Sequence, residues 1–133
     1  MDRERFETLV IKAIEELPEE FKNKLENIEI IVEDWPTQRQ LSQLGLKRNT
    51  QLLGLYEGIP QTNRGEGYNF VLPDKITIFQ KPIEESCRSD GEIKTEIGKV
   101  VRHEIAHHFG ISDSTLRSIE MQKLGKKIHK TKP

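Results

Sequence analysis

The sequence predicts an α+β domain in which a small mixed sheet packs on helices. Apolar residues recur at steps of three and four near both ends of the chain, and short segments rich in β-branched residues lie between them. The chain has 133 residues and neither an internal repeat nor a linker, so we expect a single domain over residues 1–125. Residues 126–133 are basic, and we expect them to form an unstructured tail.

Composition and charge argue against several classes of protein. Periodic apolar segments argue against general disorder, and a net charge of -1 argues against a nucleic-acid binder. The single cysteine, Cys87, excludes an internal disulfide, and no apolar run approaches the length of a membrane span. The first residues do not resemble a signal peptide. We therefore expect a cytoplasmic protein that binds neither nucleic acid nor membrane.

The N-terminal region predicts a helix followed by a strand. Apolar side chains at helical spacing indicate an amphipathic helix over residues 6–17, and Pro18 breaks or restarts it. The β-branched run at residues 28–32 indicates a strand, which Trp35-Pro36 ends.

A short helix and two more strands are predicted next. Thr37 and Gln40 fit a capping box for a helix that Gly45 ends. Residues 51–56 and 75–80 are candidate strands, separated by a loop with many turn residues. The latter strand could present an edge for an extended peptide, although an ordinary sheet strand fits it equally well.

The C-terminal region predicts two helices. Ser89 and Glu92 fit a capping box that opens a long helix running to about Phe109, and Gly110 ends it. A last helix is expected over residues 114–124.

The long helix carries the motif H-E-x-x-H, formed by His103, Glu104 and His107. Residues four apart on a helix point the same way, so both imidazoles can reach one zinc ion. Gly110 can adopt the left-handed conformation that turns the chain and brings Asp113 back toward the histidines. His103, His107 and Asp113 are therefore predicted to bind one Zn²⁺ and to leave a fourth position open for water.

The position of Glu104 on the helical wheel indicates a chemical role. The helix has one broad apolar arc, formed by Ile93, Ile97, Val100, Val101 and Ile105. Glu104 falls inside this arc, where a carboxylate is costly unless something compensates its charge. His103 and His107 lie together at one edge of the arc, where a cleft would open. We therefore expect Glu104 to accept a proton from a zinc-bound water that attacks a carbonyl, which is the chemistry of amide hydrolysis.

The motif H-E-x-x-H-x-x-G-x-x-D at residues 103–113 resembles that of the minimal zincin family. These are small bacterial metallopeptidase-like proteins with a matrix-metalloprotease-like domain. Similar stretches lie at residues 31–36, 53–60 and 76–79, so the resemblance covers roughly residues 1–125. The chain lacks the later Met-turn segment that would connect it to the larger proteases.

The resemblance has implications for both the fold and the activity. It implies a compact zincin-like fold, with a short mixed sheet above the helix that carries the motif. Onto this sequence it carries His103, His107 and Asp113 as metal ligands. It also carries Glu104 as the catalytic base, and it implies a peptide or protein substrate.

Several side chains have alternative roles. Asp113 could instead cap the last helix, and Glu120 could complete the metal site. His108 falls inside the apolar arc and is expected to be packed rather than to bind metal. Tyr56 and Tyr68 could each donate a hydrogen bond to a developing oxyanion.

Two other functions fit parts of the pattern. A bacterial family of metal-dependent endoribonucleases uses H-x-x-x-H-x-x-x-x-x-H, which is the same ligand spacing with His as the third ligand. Glu104 and the lack of a basic excess favour a peptidase over this alternative. A non-catalytic module that binds metal or a partner is the third alternative, because the chain is small and its cleft would be short. The oligomeric state stays open.

Overall fold

The computed structural model describes residues 1–47, 51–58, 73–111 and 118. Its helices are α1 (Arg3–Glu15), α2 (Glu19–Lys24), α3 (Gln38–Gln43), α4 (Gln80–Ser86) and α5 (Asp90–Phe109). Its strands are β1 (Ile28–Glu33), β2 (Gly54–Glu57) and β3 (Asp74–Phe79). This architecture confirms the predicted α+β class.

The sheet is mixed, and β3 is its central strand. The spatial order is β1-β3-β2, with β1 parallel and β2 antiparallel to β3. The hypothesis that residues 75–80 offer a free edge to a peptide is wrong, because β3 is paired along both sides. Among the described strands, β2 lies at the end of the order next to β3, and it contacts the motif helix α5.

The core lies between one face of the sheet and the two long helices. Ile76 and Ile78 of β3 have no exposed surface and pack with Phe6 of α1 and with Ile97 and Ile105 of α5. All members of the apolar arc predicted on α5 are buried. The α5 helix contacts α1 on one side and both β2 and β3 on the other. Burial of this arc is therefore what orients α5 under the sheet.

The predicted ends of α3 and α5 are confirmed, whereas α1 spans Arg3–Glu15 instead of residues 6–17. Thr37 and Gln40 form both bonds of the capping box at the start of α3. The Ser89 side chain accepts a hydrogen bond from the Glu92 N–H at the start of α5. Gly45 and Gly110 both have φ of 70°, the left-handed conformation that closes a helix.

The α4 helix was not predicted. Pro82 indicated the end of the preceding strand, but the chain enters a helix at Gln80, immediately after β3. Pro82 is the third residue of this helix, where the N–H of any residue would have no partner within the helix. The helix therefore tolerates a proline that, from sequence alone, reads as a terminator.

Arg3, the first residue of α1, links this helix to the first residue of α4. Its Nε donates to Gln80 Oε1 at 2.8 Å, and its Nη1 donates to the main-chain oxygen of Val32 at 2.8 Å. Its Nη2 forms an ion pair with Asp34 at 2.7 Å. Gln80 is only 2% exposed and uses its own amide nitrogen to bond Met1 and Glu84. These contacts join the N-terminus to the ends of β1 and β3.

Other parts of the prediction lie outside the described residues. These are the loop at residues 61–68, Tyr68, the tail at residues 126–133 and, apart from the helical and exposed Ser118, the last helix. The strand predicted over residues 51–56 begins only at Gly54. No helix in the described part of the chain is long and apolar enough to cross a membrane.

Candidate metal centre

His103 and His107 lie on the same side of α5, near its C-terminal end. Their ring centroids are 6.4 Å apart, with an angle of 64° between the ring planes. With a zinc–nitrogen bond of about 2.0–2.1 Å, the centre of each ring would lie about 3 Å from a shared ion. The two ring centres would therefore be no more than about 6 Å apart. The observed separation slightly exceeds this limit, so the two rings would have to move toward each other to share one ion. His103 is partly buried and His107 is exposed, so the pair is open to an incoming ligand.

The predicted third ligand, Asp113, lies outside the described residues, as does its alternative Glu120. Within residues 1–47, 51–58 and 73–111, no group of three or more His, Cys, Asp and Glu side chains is placed to hold a metal. Of the three predicted ligands, the described residues therefore include only His103 and His107.

The turn after α5 has the geometry that the sequence predicted. The Gly110 N–H bonds the His107 oxygen at 3.4 Å, and the Ile111 N–H bonds the Ala106 oxygen at 2.8 Å. This pair of bonds, with glycine in the left-handed conformation, is the Schellman motif. Ile111 packs against the core. The chain therefore turns sharply at the end of the helix instead of continuing along its axis.

Glu104 is half-buried beneath β2. Its Oε1 accepts a hydrogen bond from the main-chain N–H of Tyr56 at 2.9 Å. Burial raises the pKa of the Glu104 carboxyl, while the Tyr56 bond and the nearby His107 and His103 oppose that shift. A carboxylate with a raised pKa binds a proton more readily than an exposed one. The position is therefore suited to a general base.

Gly54 allows β2 to lie close to α5. A Cβ atom at this position would meet Val100 Cγ1 at 2.3 Å, which is far inside van der Waals contact. Only glycine fits this approach, and Tyr56 follows two residues later on the same face of the strand. The predicted strand at residues 51–56 contained this signal, since a glycine inside a strand often marks a close approach of another element.

Tyr56, His108 and Asp74 form a packed cluster beside Glu104. The Tyr56 hydroxyl donates to Asp74 Oδ2 at 2.6 Å, and its ring stacks on His108 with centroids 3.9 Å apart. Burial and Asp74 together hold the pKa of Tyr56 well above its usual value. The Tyr56 hydroxyl already donates its proton in a hydrogen bond to Asp74, which argues against Tyr56 as an oxyanion donor.

His108 is packed, as predicted, but against Tyr56 at the surface and not in the core. Its side chain is 39% exposed, and its Nε2 lies 3.8 Å from Asp74 Oδ2. Sequence reasoning missed Asp74 and the main-chain N–H of Tyr56 as parts of this site. Neither has a local signal, because each reaches the motif only through pairing of the sheet.

One comparison with known families gives a match. A family model described as zincin-like metallopeptidase matches residues 25–123, which is more than half of the chain. The matched segment includes all three strands and the H-E-x-x-H motif. No curated protein matches the chain. The match therefore confirms the family that the sequence motif predicted. The family implies a metal, typically zinc, and peptide or protein substrates.

Proposed function

The chain belongs to the zincin-like metallopeptidase family, and on that basis we propose that it hydrolyses peptide bonds with a zinc ion bound beside α5. His103, His107 and Asp113 are the proposed ligands. Glu104 is the proposed general base. One observation carries the proposal: a carboxylate between two imidazoles on the same side of α5 is held half-buried beneath β2 by a main-chain hydrogen bond.

The donor set suits zinc. Imidazole nitrogens and carboxylate oxygens are its common ligands, and three protein ligands leave one position for a reactant. When bound, zinc supplies a Lewis acid for the substrate carbonyl and lowers the pKa of a water molecule. The turn at Gly110 supports Asp113 as the third ligand, because the chain leaves the helical path within one residue of the end of α5.

Glu104 has the properties that proton transfer requires. The Tyr56 N–H holds one of its oxygens and so limits rotation of the carboxylate. Its raised pKa makes the Glu104 carboxylate a stronger base than an exposed glutamate, and so better able to take a proton from the attacking water. The same carboxyl group can then deliver that proton to the leaving amine.

The experiment combines metal analysis with cleavage of a peptide library. The purified protein should contain about one equivalent of zinc, and His103→Ala and His107→Ala should lose it. His108→Ala is the matched control and should keep the metal, because the His108 ring stacks on Tyr56. Asp113→Ala should lose the metal, whereas Glu120→Ala should keep it.

The Glu104→Gln variant tests the base. It should retain zinc and lose cleavage by about a hundredfold or more. Cleavage at the parental rate would show that Glu104 is not the base. A preparation without zinc would contradict the proposal as a whole. Cleavage of structured RNA but not peptide would favour the endoribonuclease alternative, and bound zinc with neither activity would favour a non-catalytic module.

A further inference from the structure

We propose that Tyr56 is a positioning residue for Glu104. Its side chain is clamped by His108 and Asp74, and this clamp keeps the Tyr56 main-chain N–H on the Glu104 carboxylate. The inference rests on the proposed role of Glu104 as general base. It adds a part of the machinery that lies outside the motif.

The contacts of Tyr56 on α5 span one helical turn. Glu104 and His108 are four residues apart, so they project from the same face of the helix with their Cβ atoms about 5–6 Å apart. The Tyr56 N–H bonds the first of them at 2.9 Å. The Tyr56 ring lies on the second, with the ring planes only 14° from parallel. One residue of β2 therefore straddles one turn of the helix.

The third contact of Tyr56 is with the central strand of the sheet. Its hydroxyl donates to Asp74 Oδ2 at 2.6 Å, a short hydrogen bond to a charged acceptor. Asp74 is the first residue of β3, the central strand. The ring is thus held between the helix and the sheet, and it cannot turn without breaking either the stack or this bond.

The clamp matters because glutamate has a long, flexible side chain. A general base must lie within hydrogen-bond reach of the proton that it removes. Displacement of a catalytic group by about 1 Å can lower a rate about a hundredfold. An N–H that is part of a strand has a fixed direction, so the bond selects one orientation of the Glu104 carboxylate. Gly54 contributes by letting the strand approach the helix.

The kinetic test uses two variants of the zinc-loaded protein. Tyr56→Phe keeps the ring stack and loses the bond to Asp74, whereas Tyr56→Leu loses both. We expect kcat to fall about tenfold in the first variant and about a hundredfold in the second. KM should stay within about twofold of the parental value, and zinc content should be unchanged, because Tyr56 is not a proposed ligand and packs only at the edge of the core.

Substitutions of Asp74 provide the rescue and the control. Asp74→Asn keeps an oxygen that can accept from the Tyr56 hydroxyl, so its kcat should exceed that of Asp74→Leu. Asp90→Asn makes the same chemical change in the first turn of α5, at the end far from Glu104, and should keep the parental kcat. A parental kcat in Tyr56→Leu, or loss of zinc in that variant, would overturn the positioning role.

A spectroscopic test examines the contact without relying on activity. In the metal-free protein, a hydrogen bond to a carboxylate should move the Tyr56 amide proton to low field in the ¹H–¹⁵N spectrum. Both Glu104→Gln and Tyr56→Leu should move the amide resonance of residue 56 upfield. The Glu92 amide, which bonds the Ser89 hydroxyl, is the reference and should not move.

The two tests separate the failure of this inference from the failure of the proposed function. If the residue 56 amide does not respond to Glu104→Gln, the clamp is disproved, whatever the protein cleaves. If the amide responds but the parental protein cleaves no peptide, the proposed function fails, while the clamp on the Glu104 carboxylate is supported.

Discussion

Tyr56 and Glu104 are 48 residues apart in the chain, and the main-chain N–H of the first donates to a carboxylate oxygen of the second at 2.9 Å. This bond connects β2 to α5, the helix that carries the H-E-x-x-H motif. It forms only because Gly54 lets the strand lie against Val100 of the helix. The candidate site therefore depends on how closely β2 packs on α5.

Adding a methyl group at Gly54 should disrupt that packing. The new Cβ would meet Val100 Cγ1 at 2.3 Å, and a valine in a helix has little freedom to move aside. We expect Gly54→Ala to lower the free energy of unfolding by about 1–3 kcal/mol, measured by chemical denaturation.

Val100→Ala provides the check on this prediction. It removes the methyl group that the new Cβ would meet, so the double variant should be more stable than the sum of the two single effects implies. Gly91→Ala is the control, because the nearest atom to its Cβ, Ser89 Oγ, is 3.9 Å away and alanine favours helix. Simple additivity of the effects at 54 and 100 would contradict the predicted close approach.

Gly110 and Gly45 form a matched pair for testing the turn after α5. Both have φ of 70°, and within the described part of the chain no atom beyond their immediate chain neighbours lies within 4 Å of an added Cβ. Alanine at either position should therefore cost about 1 kcal/mol through backbone strain alone. Only Gly110→Ala should also weaken zinc binding, because only that turn leads to the proposed ligand Asp113. Equal zinc affinity in the two variants, measured by competition with a chelator, would count against Asp113 as a ligand.

The stability of the metal-free protein should depend on the charge of Glu104. Because burial raises the pKa of this carboxyl, folding favours its protonated form. Its contribution to stability is full below the unfolded pKa of about 4.3 and is lost as the pH rises through the folded pKa. Glutamine is neutral at every pH, and its amide oxygen can accept the Tyr56 N–H bond, although more weakly than a carboxylate does. Glu104→Gln should therefore be more stable than the parent near about pH 7, and this advantage should shrink toward about pH 4.

Denaturant unfolding with a chelator present, at the two pH values, measures this difference. Glu85→Gln is the control, because Glu85 is exposed on α4, and its effect should be small at both pH values. An advantage of Glu104→Gln that grows toward low pH would have the opposite sign to the one expected.

Arg3 should contribute more to stability than its neighbour Arg5. It bonds the buried Gln80, the Val32 carbonyl and Asp34 through three different nitrogens, a geometry that lysine cannot reproduce. Arg3→Lys should lower the free energy of unfolding by about 1–3 kcal/mol. Arg5→Lys should cost less than about 1 kcal/mol, because the Arg5 pair with Asp90 is exposed. Thermal or chemical denaturation should show a larger loss of unfolding free energy for Arg3→Lys than for Arg5→Lys. Equal losses would contradict this role of Arg3.

Much of the fold could be predicted from the sequence because its determinants are local. The capping residues Thr37 and Ser89 and the left-handed Gly45 and Gly110 act within a few residues of themselves, so helix ends can be read from the chain directly. The same holds for the apolar arc of α5. The placement of His103 and His107 on the same side of α5 also follows from helical periodicity alone.

The third ligand, Asp113, stays a prediction. The structure describes the turn that leads toward it, ending at Ile111, but not the residue itself. The four-residue spacing of the histidines follows from one helix, whereas the position of Asp113 depends on how the next segment packs.

Local sequence signals were enough to predict α1, α3 and α5, the ends of α3 and α5, and the placement of His103 and His107 on one side of α5. Packing of distant segments was needed to show that β3 is central, that α4 begins two residues before Pro82, and that Tyr56 and Asp74 lie beside Glu104. The difference lies in the range of the interactions. A cap or an apolar stripe is complete within one or two helical turns, but strand order and the approach of β2 to α5 depend on which distant surfaces are buried together.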